Sequence, residues 1–345
     1  MQKKRMLYIG TPIFNYHQQI IGEFEDQGYS VDYYDDRPSE SSFIKGIIKI
    51  KKSMVGFLIQ RYFDRIMYET EGKSYDLVFI VNCKVFTTDM IQQLKNSQKT
   101  ARFVLYMWDS LTLYPNSKDL IPLFDMAYSF DSDDCDKVEA LTFLPLFYCK
   151  AYEEVGRDSN LVEIEYDIVS ICTAHPNRYK IIRSLFPLLE GKGIRIFSFM
   201  FLNKIQYWYN KAFVAEFKGA KSSEFNFKPL SEKENLSILR KSNSVFDIQH
   251  NKQSGLTMRT IETLGAKRKL ITSNTNIIKY DFYNENNIFV VNYHDWSGIE
   301  LFIKHEYEPV DEGIYRKYSL LSWIEAIVSD AKNEYLVSNN SEQAM

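Results

Sequence analysis

Short apolar runs, each ending in a polar turn and followed by a stretch with helical spacing, recur along most of the chain. Residues 6–10 predict a first strand, 16–27 a helix closed by Gly28, and 30–34 a second strand. Further short strands are expected at 76–81, 103–107 and 127–130, with helical stretches at 88–96 and 133–140. Pro145 and the charged run 153–158 then mark a boundary, after which the pattern restarts with a strand at 167–172, a helix at 179–189 and a strand at 194–199. Residues 315–330 read as one strong closing helix, and 337–345 as a frayed polar tail. Alternating strands and helices in two successive series predict an α/β protein with two Rossmann-like domains, 1–150 and 151–314. The opening invites a nicotinamide reading, because Asp32 follows Gly10 at about the spacing of a ribose-binding acid. The turn after Gly10 has one glycine where that fingerprint needs three, so the reading is set aside.

The segment 244–274, SVFDIQHNKQSGLTMRTIETLGAKRKLITSN, carries the clearest chemistry. Val245, Phe246 and Ile248 form a short apolar strand, and a polar loop delivers Gly255 to an expected helix start, where unpartnered backbone amides favour phosphate. Arg259 and Glu262 lie three apart and share one helix face, so a guanidinium can sit by a diphosphate while a carboxylate accepts from ribose hydroxyls. The plainer alternative is a solvated i,i+3 ion pair at an ordinary helix start. Gly265 ends the helix and 269–272 returns as the next strand. A second constellation, Ile171-Cys-Thr-Ala-His-Pro-Asn-Arg-Tyr, follows the first strand of the second domain. His175 and Arg178 are placed there to reach a diphosphate; the alternative is a helix N-terminus with Pro176 in its first turn.

The string QSGLTMRTIETLGAKRKLITSN resembles the donor-binding segment of GT-B glycosyltransferases, specifically the bacterial enzymes of surface-polysaccharide synthesis (lipopolysaccharide and capsule). The 171–179 stretch is similar to the G-T-x-H-x-x-R pattern of the same enzymes, with Cys172 where glycine is usual. The resemblance implies two Rossmann-like domains facing across a cleft, with the nucleotide-sugar donor on the second and the acceptor on the first. It gives Glu262 the ribose, and with it a donor-binding set of Thr173, His175, Arg178, Gln253, Gly255, Leu256, Thr257 and Arg259. It implies no metal and no cofactor, the nucleotide-sugar being a co-substrate, and a closing helix that crosses back to the first domain.

In the first domain, Tyr106-Met-Trp-Asp-Ser ends an apolar strand and puts Asp109 at its carboxyl tip, where a carboxylate suits a general base. Capping of the next turn is the equal alternative. His17, after the first strand, is the competing base, with a packed histidine as its alternative. The acidic run Asp131-Ser-Asp-Asp resembles a DxD metal clamp, but its place before a helix favours capping.

Composition narrows the class. The 345 residues include 45% hydrophobic and 25% charged positions, which fits two domains with separate cores. A net charge of −3 argues against a strongly basic nucleic-acid binder. Four scattered cysteines without CxxC spacing indicate neither a zinc site nor a disulfide framework. Lys3, Lys4 and Arg5 precede an apolar run too brief for a signal peptide, so a cytoplasmic location is expected. The basic, partly apolar stretch 43–65 is a candidate for peripheral contact with the cytoplasmic face of a membrane, against the alternative of a core-facing helix. These readings converge on transfer of a sugar from a nucleotide-sugar to a hydroxyl of a glycan or lipid-linked acceptor. Two rivals are a sugar-nucleotide epimerase of the same fold and a non-catalytic nucleotide-sugar-binding subunit of a polysaccharide complex.

Overall fold

Strands buried on both faces read as continuous apolar runs, and this chain supplies them in two sets. The computed structural model describes residues 3–38, 56–158, 161–249, 254–291 and 296–329. They divide into two units. One holds the described residues up to Leu146 with 254–255 and 320–329; the other holds those of 147–249, 256–291 and 296–319.

The first unit contains a six-stranded parallel sheet formed by β1 (Lys4–Ile9), β2 (Tyr29–Tyr34), β3 (Leu77–Val81), β4 (Arg102–Met107), β5 (Met126–Ser129) and β6 (Leu141–Phe143). Its strand order is β2-β1-β3-β4-β5-β6. The chain winds to one side from β1 to β2, then to the other through β3, so the order reverses between β1 and β3. All five residues of β3, LVFIV, are buried, as helices on both faces require. The helix Gly56–Glu69 turns Ile59, Phe63 and Ile66 into this core. For residues 56–65 this is the core-facing alternative; the rest of that candidate stretch, 43–55, lies outside the described residues.

The second unit contains a five-stranded parallel sheet formed by β7 (Tyr166–Thr173), β8 (Ile196–Phe201), β9 (Ser242–Asp247), β10 (Lys269–Thr272) and β11 (Ile288–Val290), in the order β11-β10-β9-β7-β8. Here the reversal falls between β7 and β9. In open α/β sheets, ligands bind outside the carboxyl ends of strands at such a reversal, so these two places are where chemistry should sit.

One expectation needs correction, and two polar stretches gain a structural account. The charged run 153–158 is largely helical: it falls in the helix Lys150–Arg157, to which Tyr152, Val155 and Gly156 give a buried face. The closing helix is broken into Glu312–Lys317 and Leu320–Val328. Between them Tyr318 O accepts from Tyr148 N at 2.8 Å and Ser319 bridges to Tyr148, so the backbone is committed to a neighbouring strand-like segment instead of the helix. Asp32 sits within β2, as the expected strand 30–34 has it, and accepts from Tyr75 Oη at 2.6 Å and Lys73 Nζ at 3.0 Å, which accounts for this acid without a nucleotide.

The helix Leu320–Val328 belongs to the first unit although it follows the whole of the second. Trp323, 1% exposed, lies edge-on to Phe79, Tyr106 and Trp108 at centroid distances of 5.7, 4.8 and 6.4 Å. Arg102 Nη1 and Tyr128 Oη donate to the carbonyls of Ile327 and Ala326, which satisfies the end of that helix. No helix among the described residues is long and apolar enough to cross a membrane.

Candidate functional site

At the β7/β9 reversal, three backbone carbonyl and carboxylate groups are tied to one guanidinium. Arg178, in the first turn of the helix Pro176–Glu190, donates through Nε at 3.0 Å and also through Nη2 to Ile248 O, and through Nη1 at 3.1 Å to Thr173 O. Its Nη2 stands 3.7 Å from Asp247 Oδ1. Arg178 therefore staples the tips of β7 and β9 together. Thr173 and His175 are both exposed beside it, and His175 is the N-cap residue of the helix without capping it through its side chain. Cys172 is an inert thiol: burial pushes its pKa up to about 11, with the Arg178 charge opposing.

The segment 255–265 follows β9. Its helix runs Met258–Gly265, and Thr257 is the N-cap, accepting from Thr260 N at 3.1 Å. Thr257 Oγ1 donates in turn to Asp247 Oδ2 at 2.6 Å, so the carboxylate at the end of β9 fixes the cap. The helix thus starts three residues later than expected, because Thr257 takes an extended conformation and ends the loop. Gly255 lies in that loop and groups with the first unit, where a Cβ on it would come within 2.5 Å of the Phe130 ring. Leu256 is buried. Gln253 lies outside the described residues.

Arg259 Nη1 is 3.1 Å from Glu262 Oε2 and 3.2 Å from Asn235 Oδ1. The i,i+3 pair is formed, but it is not a solvated surface pair, since Glu262 is 3% exposed. A carboxylate that deep requires its cation. At the helix's far end, Gly265 is the last helical residue and the left-handed position is Lys267 at φ 50°, not the glycine. Gly265 is required for another reason: a Cβ there would lie 2.5 Å from the Tyr148 ring.

The β1/β3 reversal in the first unit holds a second network. Asp36 is fully buried and accepts from Thr11 Oγ1 at 2.6 Å and Lys84 N at 3.2 Å. Burial pushes its carboxyl up to about 6, against the lowering effect of those two donors and the Lys84 charge. Asn82 and Cys83 follow β3 in consecutive left-handed conformations, at φ 61° and 49°. Asn82 Oδ1 accepts from the backbone amides of Trp108 and Asp109 at 2.7 and 3.0 Å, and its Nδ2 donates to Asp109 Oδ2 at 3.0 Å. Lys84 Nζ is 3.2 Å from the same oxygen. Burial alone would lower the Lys84 pKa, but Asp109, Tyr114 and Asp36 outweigh it and hold the ammonium charged. Asp109 is therefore clamped between an amide and a cation.

His17, in the first turn of the helix Tyr16–Asp26, lies against Tyr33 with centroids 5.4 Å apart. Its Nδ1 is buried with no hydrogen-bond partner among the described residues, and burial lowers its pKa while Asp35 pulls it up. Asp131 caps the helix Ser132–Lys137, accepting from Asp133 N at 3.1 Å, and Asp134 Oδ2 accepts from Leu111 N at 2.7 Å.

Thr11, Asp36, Asn82, Lys84, Asn235 and Asp247 were not singled out from the sequence. For five of them the signal was present: each lies at, or within three residues beyond, the end of an apolar strand run, at Gly10-Thr11, Tyr34-Asp35-Asp36, Val81-Asn82-Cys83-Lys84 and Phe246-Asp247. Asn235 lies inside a helix with ordinary polar spacing and had no such mark.

No family model matches the chain, and no curated protein matches it. Solved structures do. An α-glucosyltransferase in complex with UDP and a 13-mer DNA containing a central A:G mismatch is similar at a TM-score of 0.55 and 13% identity, over 93% of this chain and 94% of that one. Anabaena HepE in complex with UDP and glucose is similar at a TM-score of 0.56 and 9% identity, over 94% and 99%. At such identities the likeness is one of fold, and the two parallel Rossmann-like sheets are those of the GT-B architecture.

Proposed function

We propose that this chain is a metal-independent glycosyltransferase that moves a sugar from a nucleotide-sugar to a hydroxyl of a glycan or lipid-linked acceptor in bacterial surface-polysaccharide synthesis. The observation that carries the reading is the Arg259–Glu262 pair, its carboxylate buried and its guanidinium half-buried, beside the Thr257 cap and Asp247, on a helix that follows the strand at which the sheet order reverses. A diphosphate is matched there by a helix N-terminus and a guanidinium, and a ribose by a carboxylate. Gly255, Leu256 and Arg259 hold the diphosphate and stabilise the charge it gains on leaving. Glu262 accepts from the ribose hydroxyls. Thr173, His175, Gln253 and Thr257 complete the donor contacts, and Arg178 keeps the two strand tips in register for them.

Asp109 or His17 takes the acceptor proton as the new C–O bond forms and the bond from sugar to phosphate breaks. No cofactor takes part, because the bond energy is supplied by the donor. The acceptor is held by the first unit. Peripheral membrane contact through 43–65 suits a lipid-linked acceptor and a cytoplasmic enzyme.

A thermal-shift panel of UDP, GDP, CMP, dTDP and NAD tests this with the wild type beside Glu262→Ala and Arg259→Ala. The expected result is stabilisation by one nucleoside diphosphate, lost in both variants. Stabilisation by NAD alone, or by no nucleotide, overturns the reading. Conversion of a nucleotide-sugar without added acceptor would instead identify an epimerase.

A further inference from the structure

The helix Lys204–Phe213 in the second unit has one face in the core and another that has no reason to be apolar. Tyr207 and Asn210 are buried, and the Tyr207 ring meets Phe225 and Phe227 at 5.5 and 5.6 Å. Across the outer face Ile205, Trp208, Tyr209 and Phe213 are 85, 65, 60 and 76% exposed. Their spacing of i, i+3, i+4 and i+8 makes one stripe on a single helix. Tyr209 and Phe213 rings touch at 5.2 Å, so the surface is contiguous. Single exposed apolar residues are ordinary; a contiguous aromatic stripe marks an interaction site.

The surroundings identify the partner. Residues 203–221 carry four lysines against one glutamate, while the whole chain has a net charge of −3. Lys204, Lys211, Lys218 and Lys221 are all exposed. Lys211 Nζ lies over both the Tyr207 and Trp208 rings at 5.6 Å, which sets a cation directly beside the apolar stripe. Indole and phenol rings prefer the headgroup level of a bilayer, apolar side chains the acyl boundary, and lysines the anionic phosphates. A second copy of this chain fits less well, since pairing like faces would set the same lysines against each other.

We propose that this face docks on the surface of an anionic phospholipid bilayer. The helix lies in the interface with Trp208, Tyr209 and Phe213 inserted, and the lysines pair with headgroup phosphates. This is a different segment of the chain from 43–65, and its docking does not depend on the donor site.

Flotation of the full-length protein with vesicles of phosphatidylcholine alone, and with about 30% phosphatidylglycerol, tests the proposal. Binding to the anionic vesicles should be at least about 10-fold tighter, and about 0.5 M salt should weaken it. Trp208→Ser with Phe213→Ser should lower affinity about 10-fold or more, and Lys204→Glu with Lys211→Glu should abolish the preference for phosphatidylglycerol. All four side chains are exposed, so an unchanged melting temperature serves as the control for folding. Wild-type protein that stays in the aqueous phase overturns the proposal. So does binding that survives the Trp208/Phe213 replacement, or a concentration-dependent dimer in ultracentrifugation that the same replacement dissolves.

Discussion

Asn82 holds Asp109 from both sides, accepting from its backbone amide at 3.0 Å and donating to its carboxylate at 3.0 Å. The same Asn82 oxygen accepts from Trp108 N, so one side chain joins the tip of β3 to the tip of β4. A buried amide with three partners is costly to remove, and Asn is also among the few residues that tolerate φ near 60°.

Replacing Asn82 by Ala should therefore lower stability by about 2–4 kcal/mol, combining lost hydrogen bonds with left-handed backbone strain. Urea unfolding measures this. If Asp109 is the base, the variant should also lose kcat with little change in donor KM, and equal effects on both constants would separate Asn82 from the chemistry.

The pH dependence of stability should carry the mark of Asp36. Its carboxyl is held at about 6 in the folded chain, above its unfolded value of about 3.9, so the folded state binds the proton more tightly. That contribution is complete below about pH 4 and is lost as pH rises through about 6, a fall on the order of 3 kcal/mol. Denaturant titrations between those limits should show the slope in wild type and its absence in Asp36→Asn. Parallel curves would remove the assignment.

Gly156 lets one backbone come close against another in the second unit. A Cβ on it would lie 2.6 Å from Gly265 O, the carbonyl that also accepts from Tyr315 Oη at 2.6 Å. Gly156→Ala must push two helices apart and should cost about 2–3 kcal/mol or more, despite the better helix propensity of Ala. Gly22→Ala, in a helix where nothing lies within 4 Å, is the control and should be neutral or stabilising. A melting temperature unchanged in Gly156→Ala would sink the argument.

The parallel sheets were legible because their strands are short apolar runs, and β10 in particular keeps the expected bounds of 269–272. What the pattern missed are contacts between distant parts of the chain. The closing helix breaks at Tyr318 only because Tyr148, far away in sequence, takes its carbonyl. Gly255 looked like a helix start because loop and helix are both polar there; Thr257, one of several capping types in the stretch, decides the start. The sequence places Arg178 within reach of a diphosphate, and the structure adds bonds from its guanidinium to carbonyls of β7 and of the residue after β9, a pairing that exists only once the sheet has formed. Asp109 was placed at its strand tip by the apolar run before it, but its clamp of Asn82 and Lys84 depends on β3 and β4 being neighbours.

Translation is vectorial, and Leu320–Val328 gives that fact weight. Trp323 covers the aromatic face of Phe79, Tyr106 and Trp108, yet it leaves the ribosome only after every strand of the second sheet has been made. At ordinary synthesis rates the wait is on the order of ten seconds. The second sheet is built from one nearly continuous stretch and can close first. The nascent first sheet meanwhile carries an uncovered aromatic surface, and is the half of this chain for which chaperones should have most use.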